Sequence, residues 1–303
     1  YDYQYRNMGK TENKGLEASF TWHAINAKNW GLDFNGNIGF NKTKIKSLGM
    51  MNDFGAESYW ASSEIGNDYW IAVGGSVGQM YGYKSAGRYE VDDFTGYDAT
   101  KKKWVLKSGV ADATNVVGQI RPGSMKLADQ LTVDTNGDGI ADAGDGKIDT
   151  NDKTIIGNAN PDFTGGFGKI NQNEESYPFD IYNANKIEFS TTGKYQYRNM
   201  LSTMAAGNRW TNIDPTTGLI SNDPTRLKEL NATTTEFSPY TDRMVFSDWS
   251  VEDGSFLRLN TLTLGYTIPQ LVTNKMGINS LRFYVTAYNV FCITNYSGYD
   301  PEV

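Results

Sequence analysis

The chain has one cysteine, one histidine, few prolines, no excess of positive charge and no long apolar run, and each shortage removes a class of protein. With Cys292 alone no intrachain disulfide can form, so cysteine pairing says nothing about redox compartment. Its place late in a strand pattern suits a small buried or lipid-facing thiol better than a nucleophile, which needs an electropositive, accessible setting. His23 has no second histidine or cysteine to complete a transition-metal site and reads as a polar wall residue. A formal charge of −7 leaves no basic footprint for nucleic acid. No stretch approaches the roughly 18 apolar residues of a spanning helix. Catalytic machinery is missing too. No glycine loop leads into a basic residue and a helix as phosphate binding requires. The adjacent carboxylates Asp92–Asp93 and Glu174–Glu175 read as exposed charge and not as acids flanking a scissile bond. No reaction is assigned to the chain.

What is present is alternation. Leu16, Ala18, Phe20, Trp22 and Ala24 alternate with Glu17, Ser19, Thr21 and His23, and Trp30, Leu32, Phe34, Ile38 and Phe40 alternate with Asp33, Asn35, Asn37 and Asn41. The polar segment Asn26–Asn29 between them completes a predicted hairpin, with Trp22 and Trp30 placed as an interfacial aromatic girdle would place them. Near the C-terminus Leu281, Phe283, Val285, Ala287 and Phe291 share one parity, with Val290 the intruder, while Arg282, Tyr284, Thr286 and Tyr288 share the other. A membrane strand needs only about 9–11 residues with apolar and polar faces alternating, so a mean hydropathy of −0.53 does not exclude a barrel. Further strands are predicted around Gln79–Tyr89, Phe163–Ile170, Lys186–Arg198 and Phe256–Ile268. In the last of these Leu257 and Leu259 lie on one parity and Leu262, Leu264 and Tyr266 on the other, which predicts a bulge or a protein-covered face. Long polar stretches, Lys44–Val77, Val91–Ile155 and Asn199–Ser250, separate the strands. Short turns alternating with long loops is the asymmetry of outer-membrane barrels, which makes Asn26–Asn29 and Pro269–Ser280 periplasmic.

The segments FLRLNTLTLGYTIP (Phe256–Pro269) and LRFYVTAYNVFCITNYSGYDP (Leu281–Pro301) resemble the closing part of SusC/RagA-family TonB-dependent outer-membrane transporters. GNANPDFTGGF (Gly157–Phe167), NKGLEAS (Asn13–Ser19) and, more weakly, YGYKSAGRY (Tyr81–Tyr89) add matches in the same order. The resemblance implies that residues 1–303 are the C-terminal part of an antiparallel barrel of roughly 22 strands, of which about eight fall in this stretch. Plug domain, TonB box and last strand would then lie outside it, and the lack of a signal-peptide pattern at Tyr1 is expected of a cut or unbuilt start. It further implies import of oligosaccharides or peptides with a SusD-like surface lipoprotein, energised through TonB. Two other readings stay open: a TonB-dependent receptor for another nutrient such as a metal chelate, and a secreted, calcium-stabilised carbohydrate-binding β-sandwich.

Within the longest loop, DTNGDGIADAGD puts Asp134, Asn136, Asp138, Asp142 and Asp145 at positions one, three, five, nine and twelve, with Gly139 at six and the Ile140 carbonyl at seven. That spacing wraps a short chain around one Ca2+, which takes six to eight hard oxygen ligands. It ends in aspartate and lacks flanking helices, so it looks closer to dockerin and thrombospondin loops than to a helix-flanked site. Asp149 and Asp152 offer an alternative set with Asp145. With 13% aromatic content, loop rings are the candidates for substrate contact: Tyr59, Trp60, Tyr69, Trp70, Trp104 and Trp210. Packing of the loops is the competing and favoured use of such large surfaces. The repeat YQYRNM at Tyr3–Met8 and Tyr195–Met200 has no physical account.

Overall fold

A computed structural model describes residues 9–26, 31–59, 64–168, 174–177, 180–182, 202–204, 207–239 and 242–302. Both YQYRNM copies, Trp30 and the strand predicted over Lys186–Arg198 lie outside the described residues. Along the chain, β1 (Lys10–Asn26) and β2 (Gly31–Ser47) come first. A run of short strands follows: β3 (Asp53–Ala56), β4 (Tyr69–Ala72), β5 (Gln79–Gly82), β6 (Ser85–Arg88), β7 (Phe94–Asp98), β8 (Lys103–Leu106), β9 (Met125–Leu127) and β10 (Thr154–Asn158). Then come β11 (Thr164–Gly168), β12 (Glu174–Tyr177), β13 (Asp180–Tyr182), β14 (Val251–Asp253), β15 (Phe256–Thr267) and β16 (Arg282–Thr294). The described residues divide into two compact units: Gly9–Lys46, Ala159–Ile181 and Asp253–Val303 bound the strand-rich unit, and Ser47–Asn158 with Tyr182–Glu252 bound the other.

The strand-rich unit is a six-stranded sheet in the order β1-β2-β11-β12-β15-β16, and among the described residues it does not close on itself. Both strands of the predicted first hairpin pair with each other, its turn lying outside the described residues, and the two predicted C-terminal strands are there as well. Between β15 and β16 the connection carries two short helical turns, Gln270–Thr273 and Asn274–Met276, ended by Gly277 in the left-handed region at φ 68°. On the apolar side of β1, the Phe20 ring lies over Gly36, where a Cβ would sit 2.6 Å from a ring carbon, so only glycine admits that ring.

β15 answers the parity problem. Leu257 and Leu259 stand opposite Ile293 and Phe291, the register then slips by one between Leu259 and Thr261, and beyond the slip Leu262 and Tyr266 stand opposite Ala287 and Phe283. The apolar residues of β15 change parity while those of β16 do not, and a one-residue slip is what keeps apolar opposite apolar. Asn289, with φ 50°, sits in the part of β16 that takes up the extra residue, a conformation asparagine tolerates better than most. Polar residues pair likewise: Thr263 opposite Thr286, their hydroxyls 3.0 Å apart, and Arg258 opposite Cys292.

The second unit departs from expectation. The stretches read as polar loops fold around a core of their own, built on Tyr89, Phe94, Trp104, Val117, Leu127, Ile148, Trp210, Leu227 and Phe237. The Tyr89 hydroxyl donates to the Ala111 carbonyl at 2.6 Å and accepts from the Ala113 N–H at 3.2 Å, which satisfies its polar tip inside the core. A four-stranded sheet, β10-β5-β4-β3, carries a smaller core of Ile65, Met80, Met244 and Phe246. The single membrane strand predicted over Gln79–Tyr89 is instead β5 and β6, four residues each and in different sheets. Its buried positions Met80, Tyr83 and Tyr89 pack against protein. Period two alone does not distinguish a core from lipid.

Candidate functional site

The sheet presents two chemically different sides. Leu16, Phe20 and Trp22 of β1 and Ile38 and Phe40 of β2 are exposed along one parity, and the pairing of Ile38 with Gly165, Gly165 with Ser176, Ser176 with Leu257 and Leu257 with Ile293 carries that side to the exposed Phe291 and Ile293 of β16; ahead of the extra residue in β16, Phe283 and Val285 are exposed too, Val285 to 75%. The Phe40 and Phe163 rings are 6.1 Å apart on that unit. On the other parity, Asn37 Oδ1 accepts the Gly166 N–H at 2.9 Å, and Arg258 is largely buried against Asp300 at 2.5 Å and Glu302 at 3.2 Å. These ion pairs tie the Asp300–Glu302 segment back onto β15.

The acidic loop is wound, and its own backbone winds it. The Asp134 carboxylate accepts the N–H groups of Gly137 at 2.6 Å and Gly139 at 2.7 Å, Asn136 accepts from Asp138 at 2.9 Å, and Asp138 accepts from Ile140 at 2.8 Å. Gly137 and Gly139, at φ 80° and 84°, supply the left-handed turns. Those N–H donors hold the Asp134 carboxyl below the usual carboxylate range, so it stays anionic. Asp142 accepts from both the N–H and the hydroxyl of Thr135, while Asp145 turns away to the Lys147 N–H at 2.8 Å. Among the described residues, no group of three or more His, Cys, Asp or Glu converges as an ion site.

Of the candidate substrate aromatics, two move into the core. Trp104, 7% exposed, packs edge-on to Phe94 and Tyr97 with ring centres 5.6 and 5.9 Å away. Trp210, 2% exposed, lies under the Arg88 guanidinium at 4.8 Å. Both rings hold the unit together and are closed to a ligand, as expected if packing wins. Tyr69 is half-buried, and burial raises its phenol pKa. Trp70 is half-buried too, its ring centre 4.7 Å from that of Tyr81. Tyr59 is the exposed one, at φ 59°, and Trp60 lies outside the described residues.

Sequence reasoning missed a cleft of about 400 Å³ in the same unit, lined by Ile65, Tyr83, Val116, Met244 and Phe246 together with Glu64, Asp149, Thr150, Lys153 and Arg243. Its ammonium is unusual. Lys153 Nζ donates to the carbonyls of Asn67 at 2.8 Å and Ile65 at 3.1 Å and lies 5.6 and 5.8 Å from the ring centres of Tyr83 and Tyr81. Burial lowers its pKa, against the field of Asp68 and Glu57. Burial, with Asp152 and Asp149 nearby, pushes the Tyr83 phenol up to about 12. The only sequence signal was a lysine beside the apolar pair Ile155–Ile156, too weak to single out.

No protein-family model matches the chain. Nearly all of it aligns with TonB-dependent receptors. TonB-dependent receptor P3 of Formosa agariphila is 28% identical over 310 residues, which is 99% of this chain and 26% of that receptor. TonB-dependent receptor SusC of Bacteroides thetaiotaomicron is 26% identical over 300 residues, 98% of this chain and 25% of SusC. Among solved structures, the RagAB peptide transporter superposes with a TM-score of 0.60 at 19% identity over 99% of this chain and 28% of that one. The chain is similar to a stretch of SusC/RagA-type TonB-dependent transporters. It spans about a quarter of the length of the curated relatives it matches. For a SusC-like protein the open six-stranded sheet is part of an outer-membrane barrel wall. Its relatives are receptors and not enzymes, in line with the missing catalytic constellation. A secreted β-sandwich is displaced by this likeness.

Proposed function

We propose that the parent protein imports oligosaccharides or peptides across the outer membrane, energised through TonB and working with a SusD- or RagB-like surface lipoprotein. The observation that carries this reading is a sheet with exposed apolar residues on β1, β2, β15 and β16, in a chain that aligns with TonB-dependent receptors over almost its whole length. The sheet supplies barrel wall, and the second unit, inserted between strands of that wall along the chain, supplies folded loop mass for substrate and lipoprotein. Tyr59, Tyr69 and Trp70 are the described aromatic candidates for substrate contact that stay outside the core, and Trp60 lies outside the described residues. The test is uptake of fluorescent oligosaccharides and peptides by cells carrying the full-length parent, with and without TonB. Uptake that depends on both supports import; uptake indifferent to TonB refutes it. Co-purification from detergent extracts checks the lipoprotein.

The acidic loop is proposed to close on one calcium ion, supported by the spacing of Asp134, Asn136, Asp138, Ile140, Asp142 and Asp145 and by the anionic Asp134. Asp145 would have to swing in from Lys147. The ion's role would be to brace the loop ahead of β10 and β11, without chemistry of its own.

A further inference from the structure

We propose that the cleft around Lys153 is a subsite for one carboxylate group of a ligand, either the acid of an acidic sugar or the C-terminal carboxylate of a peptide. This rests on the importer reading and narrows it to acidic cargo. The argument begins with the company the ammonium keeps. Lys153 Nζ spends two of its three N–H bonds on the neutral carbonyl oxygens of Ile65 and Asn67 and lies against two tyrosine rings. Asp68 and Glu57 act on it through their field, and Asp68, the stronger of the two, is occupied: it takes the N–H of Ser58 at 2.8 Å and also its hydroxyl. A half-buried cation bonded to carbonyls retains its charge, and the resulting pKa depression measures how little the surroundings return for its lost hydration. An anion entering the cleft would return it.

The rest of the lining suits one carboxylate and little more charge. Arg243 supplies a second cation, its Nη1 donating to the Asn115 carbonyl at 2.5 Å. Thr150 adds a hydroxyl, and Ile65, Val116, Met244 and Phe246 give an apolar wall for the ligand's body. Two acids face the same space. Asp149 is engaged in capping the Thr150–Asp152 turn, taking the Asn151 N–H at 2.7 Å, and Glu64 accepts the Met244 N–H at 3.4 Å. Their presence admits a monoanion and penalises a dianion such as phosphate.

The experiment is calorimetric titration of the full-length transporter in detergent with glucuronate, glucose, N-acetylglycylglycine and its C-terminal amide. Each acid is compared with its neutral counterpart. The expected result is that one acid binds about tenfold more tightly than its counterpart. That advantage should vanish in Lys153→Met and survive in Lys153→Arg, with melting temperatures confirming that both variants fold. Preference for glucuronate assigns an acidic glycan, and preference for the acetylated dipeptide assigns a peptide end. Equal binding of acid and neutral forms, no binding of any probe, or an acid preference untouched in Lys153→Met would overturn the proposal. If the variants fail to fold, the acid-to-neutral comparison on the unsubstituted protein decides. Loss of TonB-dependent uptake with binding intact would refute import and leave the subsite standing.

Discussion

Placing one lysine at Val285, Thr286 or Phe291 of β16 tests whether the register slip preserves the lipid face. β16 runs from Arg282 to Thr294, so Val285 and Phe291 each lie three residues from an end of the strand. At about 3.3 Å per residue and a tilt of roughly 40°, each sits about 8 Å from the strand's mid-height, inside a belt of about 25 Å. A lysine facing lipid costs about 2–4 kcal/mol at the midplane and about 0–1 kcal/mol at the interface. Val285→Lys and Phe291→Lys, at intermediate depth, should therefore each cost about 1–2 kcal/mol. Thr286→Lys, whose hydroxyl meets that of Thr263 on the other side, should cost less than about 0.5 kcal/mol.

The assay is urea-dependent folding of the full-length protein into phospholipid vesicles, read from the gel shift of folded barrels. Phe291 is the informative position because it lies beyond the slip. Its partner Leu259 is on the opposite parity of β15 from Leu262, and the extra residue falls in β16 between Tyr288 and Phe291, so Val285 and Phe291 share a lipid side only if β15 changes face there as well. Should Phe291→Lys prove harmless while Val290→Lys is costly, β16 itself would be the strand that turns over. A Thr286→Lys penalty equal to that of Val285→Lys would refute the two-sided wall altogether.

Three further outcomes are expected. Arg258→Met should leave Asp300 and Glu302 without their cation and loosen the segment after β16, at a cost of about 1 kcal/mol given their partial exposure; a double-mutant cycle with Asp300→Asn should show coupling of similar size. Trp104→Ala, which empties a core position between Phe94 and Tyr97, should cost about 3–5 kcal/mol, seen as early protease cleavage within residues 47–158 while β-sheet circular dichroism persists. If the acidic loop takes calcium, adding the ion at about 100 times its Kd should stabilise the fold by about 2.7 kcal/mol relative to chelator, and Asp134→Ala should abolish the difference.

The wall was legible in the sequence because a barrel strand writes its two faces into alternate residues, and β1, β2 and, up to its irregularity at Asn289, β16 do so. Even the irregularity was legible: two leucine pairs of opposite parity in β15 required a break, and the break falls between them. The second unit was not. Its strands are three to five residues long, too short to carry a period, and its core is assembled from rings and methionines far apart in sequence, such as Tyr89, Trp104, Met204 and Trp210. The same lack of locality hid the cleft. Lys153 is made unusual by the carbonyls of Ile65 and Asn67, more than 80 residues away, and no pattern within a window of sequence registers a lysine whose hydration is replaced by distant backbone. For this chain, periodicity marks the two faces of the long strands, and only tertiary structure brings the lining of the cleft together.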